Sequence, residues 1–354
     1  MAITRVSACI DQGAAVTNHK HCRTGSTGVD LLFLGTSSGT PTKARNVSGL
    51  ALVEDSGKGW YLIDCGEATQ HQLLRTPLTL HGLRAIFITH VHGDHCFGLP
   101  GLLASAGMAR RQEPLEIIAP AAIEGWVRAT LEMSQSHLPY ELRFHAIETF
   151  EGWRNPQVHV EAIALSHRVP SWGYRFTEAR PDPRLDTEKL DRDGIPRGPL
   201  WGQLVRGHDV EFQGHSLRSE DYLLSTRPPR RVVIAGDNDR PELLRDACQD
   251  AHVLVHEATY TQPIADAGKN DFGHSTAAQV AAFAQAVGLP NLVLTHFSAR
   301  YQNAPGRGLS MDDIRAEAAE RYQGELFLAK DFLRLRLGKD GVLGFDNRTI
   351  SDEA

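Results

Sequence analysis

The sequence contains no apolar run approaching the length of a membrane-spanning helix, and its first 30 residues carry no apolar stretch behind a basic start. The expectation is a soluble protein without a leader or a membrane partner. Cysteine is sparse: Cys9, Cys22, Cys65, Cys96 and Cys248 are odd in number, scattered, and never spaced C-x-x-C. That excludes a disulfide framework and a thiolate zinc site, and makes a reducing cytoplasm the expected compartment. Positive charge is not in excess either, since the formal net charge is −6 and the pI about 6.3. Any nucleic-acid binding must then rest on a local patch. No repeat of fixed short period is present. With 354 residues, 41% of them hydrophobic, the chain can build one large domain with an insertion, or two domains.

What the chain does have is Thr89-His90-Val91-His92-Gly93-Asp94-His95, three histidines and a carboxylate within seven residues. The segment follows the apolar run Ala85-Ile86-Phe87-Ile88, so it reads as a metal-binding loop at the end of a buried strand. Three more apolar strands end in possible ligands: Leu165 before His167, Ala235 before Asp237, and Leu294 before His296. If these strands run in compatible directions, their ends share one sheet edge and gather distant residues into a cleft. Outer helices are expected near 67–75, 99–111, 123–133, 276–287 and 311–322. Two sheet-forming halves with outer helices indicate a layered α/β sandwich.

Spacing divides the ligands. Residues two apart in an extended segment share a side, so His90 and His92 grip one ion while Asp94 and His95 reach a second. His167 completes the first site, His296 the second, and the carboxylate of Asp237 bridges them. Imidazole and carboxylate without thiolate suit two Zn²⁺ and leave Mn²⁺ or Fe²⁺ open. Such a pair activates water and stabilises oxyanions in displacement at phosphorus. His274, at the start of a predicted helix, is the candidate general acid, with Glu257 holding its tautomer. Asp94 is also placed to orient the nucleophile. Asp64, at another strand end, reads equally as a turn residue or as a support for a ligand.

Other stretches depart from the sandwich pattern. Residues 1–29 lack periodicity and read as a flexible extension whose His19, His21 and Cys22 fit a solvated tail. Residues 346–354 read as a tail. From about 178 to 218, prolines, glycines and charges of mixed sign suggest a functional arm or lid. The loop Pro41-Thr42-Lys43-Ala44-Arg45-Asn46 offers two cations beside small residues.

Together these residues resemble the metallo-β-lactamase superfamily and, within it, the short form of the ribonuclease Z family of tRNA 3′-processing endonucleases. Besides the metal motif, the resemblance is carried by Pro41 to Asn46, by His256-Glu257-Ala258-Thr259, by His274-Ser275-Thr276, and by Thr295 to Tyr301. It implies an αβ/βα four-layer sandwich over 30–345 with a protruding exosite arm, a homodimer, and precursor tRNA as substrate. It further implies that Lys43, Arg45 and Asn46 contact the tRNA 3′ end and that Gly198 and Pro199 belong to the arm that holds the tRNA elbow. Hydrolysis after the discriminator nucleotide would leave a tRNA 3′-hydroxyl and a trailer 5′-phosphate. Asn238 stands where many members have threonine. Two rivals remain open: a small-molecule metallo-hydrolase of the same fold, and a non-catalytic RNA-binding relative.

Overall fold

In the computed structural model the described residues are 28–346, except 182, 225–226, 270–271, 304–305 and 307. The expected N-terminal extension lies outside them up to residue 27, and the expected tail from 347 onward. Gly28 and Val29, expected within the extension, already belong to the first strand.

Short apolar runs bounded by turns form the strands. The first half contributes β1 (Gly28–Gly35), β2 (Gly49–Val53), β3 (Trp60–Ile63), β4 (Leu83–Phe87), β5 (Leu115–Ala119) and β6 (Leu142–Ala146). The second half contributes β7 (Trp153–Arg154), β8 (Val158–Leu165), β9 (Ser171–Glu178), β10 (Arg231–Ile234), β11 (Val253–Glu257), β12 (Asn291–Thr295) and β13 (Glu325–Leu328). The chain closes with β14 (Arg334–Gly338) and β15 (Leu343–Phe345). One sheet has the order β15-β14-β1-β2-β3-β4-β5-β6 and the other β13-β12-β11-β10-β9-β8-β7. The last two strands thus return to the first sheet and lie beside β1.

Three apolar cores account for four layers. Between the sheets, Phe33, Tyr61 and Phe87 of one meet Tyr174, Phe176 and Val255 of the other. On the outer face of the first sheet pack α1 (Thr69–Leu73), α2 (Leu99–Met108) and α3 (Ala121–Met133), bringing Leu73, Leu102, Leu103 and Val127 against Leu62 and Ile86. On the other outer face, α4 (Ala277–Ala286) and α5 (Met311–Ala319) bring Val280, Phe283 and Ile314 against Leu254 and Leu294. Both of these helices begin at capping boxes, Thr276 with Gln279 and Ser310 with Asp313, which satisfy amide groups that have no partner within the helix. The result is the expected αβ/βα sandwich.

Strand direction settles the condition set by the sequence. In the first sheet β3, β4, β5 and β6 are parallel. In the second, β8 is antiparallel to β9 and β9 to β10, so β8 points the same way as β10, β11 and β12. The carboxyl ends of β4, β8, β10 and β12 therefore deliver His90, His167, Asp237 and His296, and the loops behind them meet.

The arm connects β9 to β10 and is longer than expected. Its packing continues past 218, since Leu223–Leu224 pairs back onto Arg184–Leu185 and Tyr222 packs against its small core. It has a separate small core of Leu190, Ile195, Leu204, Val210 and Tyr222, built on helices Thr187–Arg192 and Pro199–Leu204. Among the described residues no helix is long and apolar enough to cross a membrane.

One hydrogen bond links the two sheets directly behind the ligand loop: the buried Tyr174 hydroxyl of β9 donates to the Ile88 carbonyl at 2.6 Å. Tyr174→Phe leaves that carbonyl without this donor and should lower unfolding stability by about 1–3 kcal/mol. Urea denaturation of the variant beside the parent measures the change.

Candidate metal centre

The ligand loop turns sharply after β4. His90 is fully buried, and Gly93–Cys96 forms a single helical turn that sets Asp94 and His95 a step beyond His92. Across the cleft, Gly236 allows the close approach that brings Asp237 in: a Cβ there would lie 2.6 Å from Thr89 Cβ and 2.7 Å from the Trp172 carbonyl.

Two groups of side chains result. His90 Nε2 lies 3.0 Å from His92 Nδ1, which lies 3.2 Å from His167 Nε2. Asp237 Oδ2 faces this group, 3.7 Å from His90 and 3.6 Å from His167. In the second group His95 Nε2 and His296 Nε2 are 3.2 Å apart, and each is 3.5 Å from Asp94 Oδ2. Asp237 Oδ1 is 3.4 Å from both of these histidines. One carboxylate thus turns one oxygen to each group, as the bridge inferred from sequence requires. The seven side chains expected as ligands lie together: His90, His92, His167 and Asp237 form one candidate group, Asp94, His95 and His296 a second, and Asp237, His274 and His296 a third.

The hydrogen bonds on the far sides of the rings determine where the lone pairs point. His90 Nδ1 donates to Thr89 Oγ1 at 3.0 Å, and that hydroxyl donates to Asp64 Oδ2. His95 Nδ1 donates to the same Asp64 oxygen at 2.7 Å. His167 Nδ1 donates to the Gly273 carbonyl at 2.8 Å. His296 Nδ1 donates to Thr259 Oγ1 at 3.1 Å, and that hydroxyl donates to Glu257 Oε2. Each of these four rings therefore presents an unprotonated Nε2 to the centre when neutral. Of the two readings open for Asp64, the structure bears out the support for a ligand. Thr89 and Thr259 were not singled out from sequence, although a hydroxyl next to a strand-end ligand is a visible signal.

Lone pairs facing each other at 3.0–3.2 Å repel unless a proton or a cation lies between them. A tetrahedral ion with bonds of about 2.0–2.1 Å holds its ligands roughly 3.3–3.4 Å apart, so the observed spacing fits metal binding at both groups. Electrostatics agree. Burial and the neighbouring imidazoles lower the pKa of His90, keeping it a neutral donor. Burial opposes charge on His296, yet Asp237, Asp94 and Glu257 outweigh it and push its pKa up to about 10. Burial likewise opposes charge on Asp94, but His95 and His296 hold it well below the usual carboxylate range. The second group is thus a strongly cation-attracting pocket. Asp64 and His296 also adopt left-handed backbone, φ 58° and 56°, which is costly for residues other than glycine.

His274 stands beside both groups, its Nδ1 3.0 Å from Glu257 Oε2 and 3.7 Å from Asp237 Oδ2. Burial disfavours its charged form, but Glu257 more than compensates and raises the pKa. Glu257 itself accepts the Asn238 amide at 2.7 Å. The side chain of Asn238 meets His256 Nε2 at 3.1 Å and accepts the Ser166 amide at 3.2 Å, so it braces the loop carrying Asp237.

The loop before this centre is only partly as expected. Lys43 is exposed and Asn46 half-buried, its side chain donating to the Glu67 carbonyl at 2.9 Å. Arg45 is 4% exposed and its guanidinium points inward, to the Tyr301 carbonyl and, at 3.0 Å, to Asn303 Oδ1. It ties the loop to the segment after His296, while the residue still borders the cleft beside Lys43 and Asn46. Gly198 and Pro199 lie far along the chain in the arm, Gly198 with φ 151° and Pro199 opening a helix.

Residues 29–172 match the family described as Anti-Pycsar protein Apyc1, a stretch that ends before the arm, Asp237 and His296. A ribonuclease Z of Pseudomonas putida is 59% identical over 315 residues, covering 89% of this chain and 99% of that one. A ribonuclease Z of Marinobacter nauticus is 54% identical, covering 88% and 97%. Among solved structures, the human tRNase Z short form matches with a TM-score of 0.59 at 27% identity, covering 86% of this chain and 98% of that one. The metallo-β-lactamase fold protein YhfI of Bacillus subtilis gives a TM-score of 0.60 at 18% identity, covering 87% and 99%, a likeness of fold alone.

The supporting role of Asp64 is measurable apart from any reaction. Asp64→Asn should weaken metal binding about 10–100-fold, read by chelator competition, and His92→Ala should lower the bound metal content directly.

Proposed function

Because this chain belongs to the ribonuclease Z family, we propose that it removes 3′ trailers from precursor tRNA by metal-dependent hydrolysis of one phosphodiester after the discriminator nucleotide. The observation that carries the chemistry is the shared carboxylate: Asp237 turns an oxygen to each of two ligand groups, with His274 3.7 Å away. The substrate follows from family membership. Zinc is the proposed metal, two ions per subunit, since the donors are imidazoles and carboxylates without thiolate. A homodimer acting in the cytoplasm is proposed from family habit and from the free, buried Cys65, Cys96 and Cys248.

His90, His92, His167 and Asp237 would hold one ion, and Asp94, His95, His296 and Asp237 the other. Bound there, such ions supply activated water and charge stabilisation at phosphorus. Asp94 accepts the Gly39 amide at 2.8 Å, which fixes the carboxylate and leaves it aimed at the second group. Glu257 holds the Nδ1 proton of His274, so a protonated His274 carries its second proton on Nε2. When the bond from phosphorus to the ribose 3′-oxygen breaks, that proton passes to the departing oxygen. The products are a tRNA 3′-hydroxyl and a trailer 5′-phosphate. The arm is proposed to hold the body of the tRNA. Gly198 supports this placement, because a left-handed φ with no atom within 4 Å of its Cβ position marks an open turn rather than a packed one.

Incubating the protein with precursor tRNA, with and without chelator, and mapping product ends tests the reading. Cleavage at the 3′ side of the acceptor stem that chelator abolishes is expected; cleavage elsewhere, or none, would overturn it. His274→Ala should keep its bound metal and lose about 10²–10⁴ in kcat.

A further inference from the structure

The loop from Gly39 to Asn46 touches the metal centre at one end and, at the other, borders a cleft of about 350 Å³. Lys43, Gln72, Arg75, Asp331 and Phe332 are among its lining residues. Its organisation is specific. Asp331 accepts from Thr36 Oγ1 at 2.9 Å, from the Asn46 amide at 2.7 Å and from Gln72 Nε2 at 2.9 Å, so its carboxylate is committed to bracing β1, the loop and α1. Next to it, Phe332 has left-handed backbone, φ 65°, held by its amide on the Phe33 carbonyl at 2.7 Å. A bulky aromatic residue rarely takes that conformation, and here it fixes the ring at the cleft wall.

Over that ring lies the guanidinium of Arg75, its Cζ 4.1 Å from the centroid. Arg75 and Lys43 are exposed, and neither makes an ion pair among the described residues. By contrast Arg128, Arg143 and Arg197 pair with neighbouring carboxylates. The Asp331 carboxylate in the same cleft attracts Arg75 without pairing with it, which leaves both cations free to take a further anionic group. A guanidinium lying over a ring has its second face open to a further flat group. Lys43 is four residues beyond Gly39, at most roughly 14 Å along the chain, so a single strand leaving the metal centre along this loop reaches the cleft.

We propose that this cleft is a nucleotide subsite: Arg75, backed by Phe332, stacks on the base of one unpaired nucleotide of the substrate, and Lys43 neutralises its phosphate. The proposal rests on the ribonuclease reading above and adds Arg75 and Phe332 to the binding surface. Stacking of this kind is tolerant of base identity, whereas the phosphate contact is sensitive to salt.

Steady-state cleavage of precursor tRNA over a salt series tests it, using the parent, Lys43→Gln, Arg75→Met and Phe332→Leu, with Arg128→Gln as the control. Arg75→Met keeps the aliphatic stem over the ring, so a purely structural role for Arg75 predicts little change. Arg75→Met and Phe332→Leu should each raise KM about tenfold. Lys43→Gln should flatten the log–log salt dependence of kcat/KM by about 0.7. Substrates carrying one abasic residue at successive unpaired positions should bind the parent worse at a single position and Arg75→Met worse at none. If Arg75→Met and Lys43→Gln match the parent and control in KM, salt slope and abasic profile, the subsite is wrong. A parent that fails to cleave precursor tRNA sinks the ribonuclease reading instead, and the two failures are thereby separate.

Discussion

Imidazole lone pairs converge on two points in this protein, and the rest of the structure depends on keeping them there. Three nitrogen pairs, His90 with His92, His92 with His167 and His95 with His296, stand at 3.0–3.2 Å. Such contacts are repulsive unless a proton or a cation lies between them, so the chain must hold the rings in place. It does so from behind. Asp64 and Thr89 anchor His90 and His95 as a unit, Glu257 and Thr259 anchor His296, and the Gly273 carbonyl anchors His167. The two carboxylate–threonine–histidine relays are alike in form, although one starts from each half of the sandwich. Left-handed backbone at Asp64 and His296 shows that geometry at the centre outranks local backbone preference.

The fold makes this convergence possible because both sheets place their parallel strands with carboxyl ends at the same edge. Loops at such edges can carry chemistry while the strands stay buried, and a ligand on one loop can meet a ligand 200 residues away in sequence, as His95 meets His296. Glu257 joins the two tasks of the site. It supports His296 through Thr259 and holds His274 directly, so the proposed metal binding and the proposed proton delivery share one buried carboxylate. A change at Glu257 cannot be assigned to either task without measuring both.

How much of this was legible in the sequence depended on length and period. Leu115–Ala119 and Val158–Leu165 are legible as strands because apolar residues dominate them despite Glu116, His159 and Glu161. The candidate ligands could be singled out because each lies just beyond the end of a strand rich in apolar residues, which turns an isolated histidine into a positioned one. Ser171–Glu178 was missed, since Gly173 and Arg175 interrupt its pattern, and the arm's six-residue helices are too short to show a period. The burial of Arg45 was hidden for a different reason. A cation in a polar loop looks like a surface contact, and only the fold shows that the segment after His296 lies beside it and offers the carbonyls that take its charge inward. The positive φ of Phe332 left no mark in the sequence at all.

An acidic chain that acts on an anionic polymer must locate its positive charge rather than accumulate it. Several surface arginines here are neutralised by adjacent carboxylates, and that arrangement gives no long-range attraction. The cations left unpaired therefore define where a polyanion can rest. Arg168 over Phe272 and Arg300 over Tyr260 lie next in sequence to the metal ligands or close to them, and Arg75 over Phe332 lies at the far end of the loop that touches Asp94. Arg128 and Arg197 lie over rings as well, Phe144 and Trp201, but each also pairs with a carboxylate, so a ring contact alone does not mark a free cation. Ring contacts orient the cation without spending its charge, which is the property needed at a surface that must bind phosphate yet stay soluble at a net charge of −6.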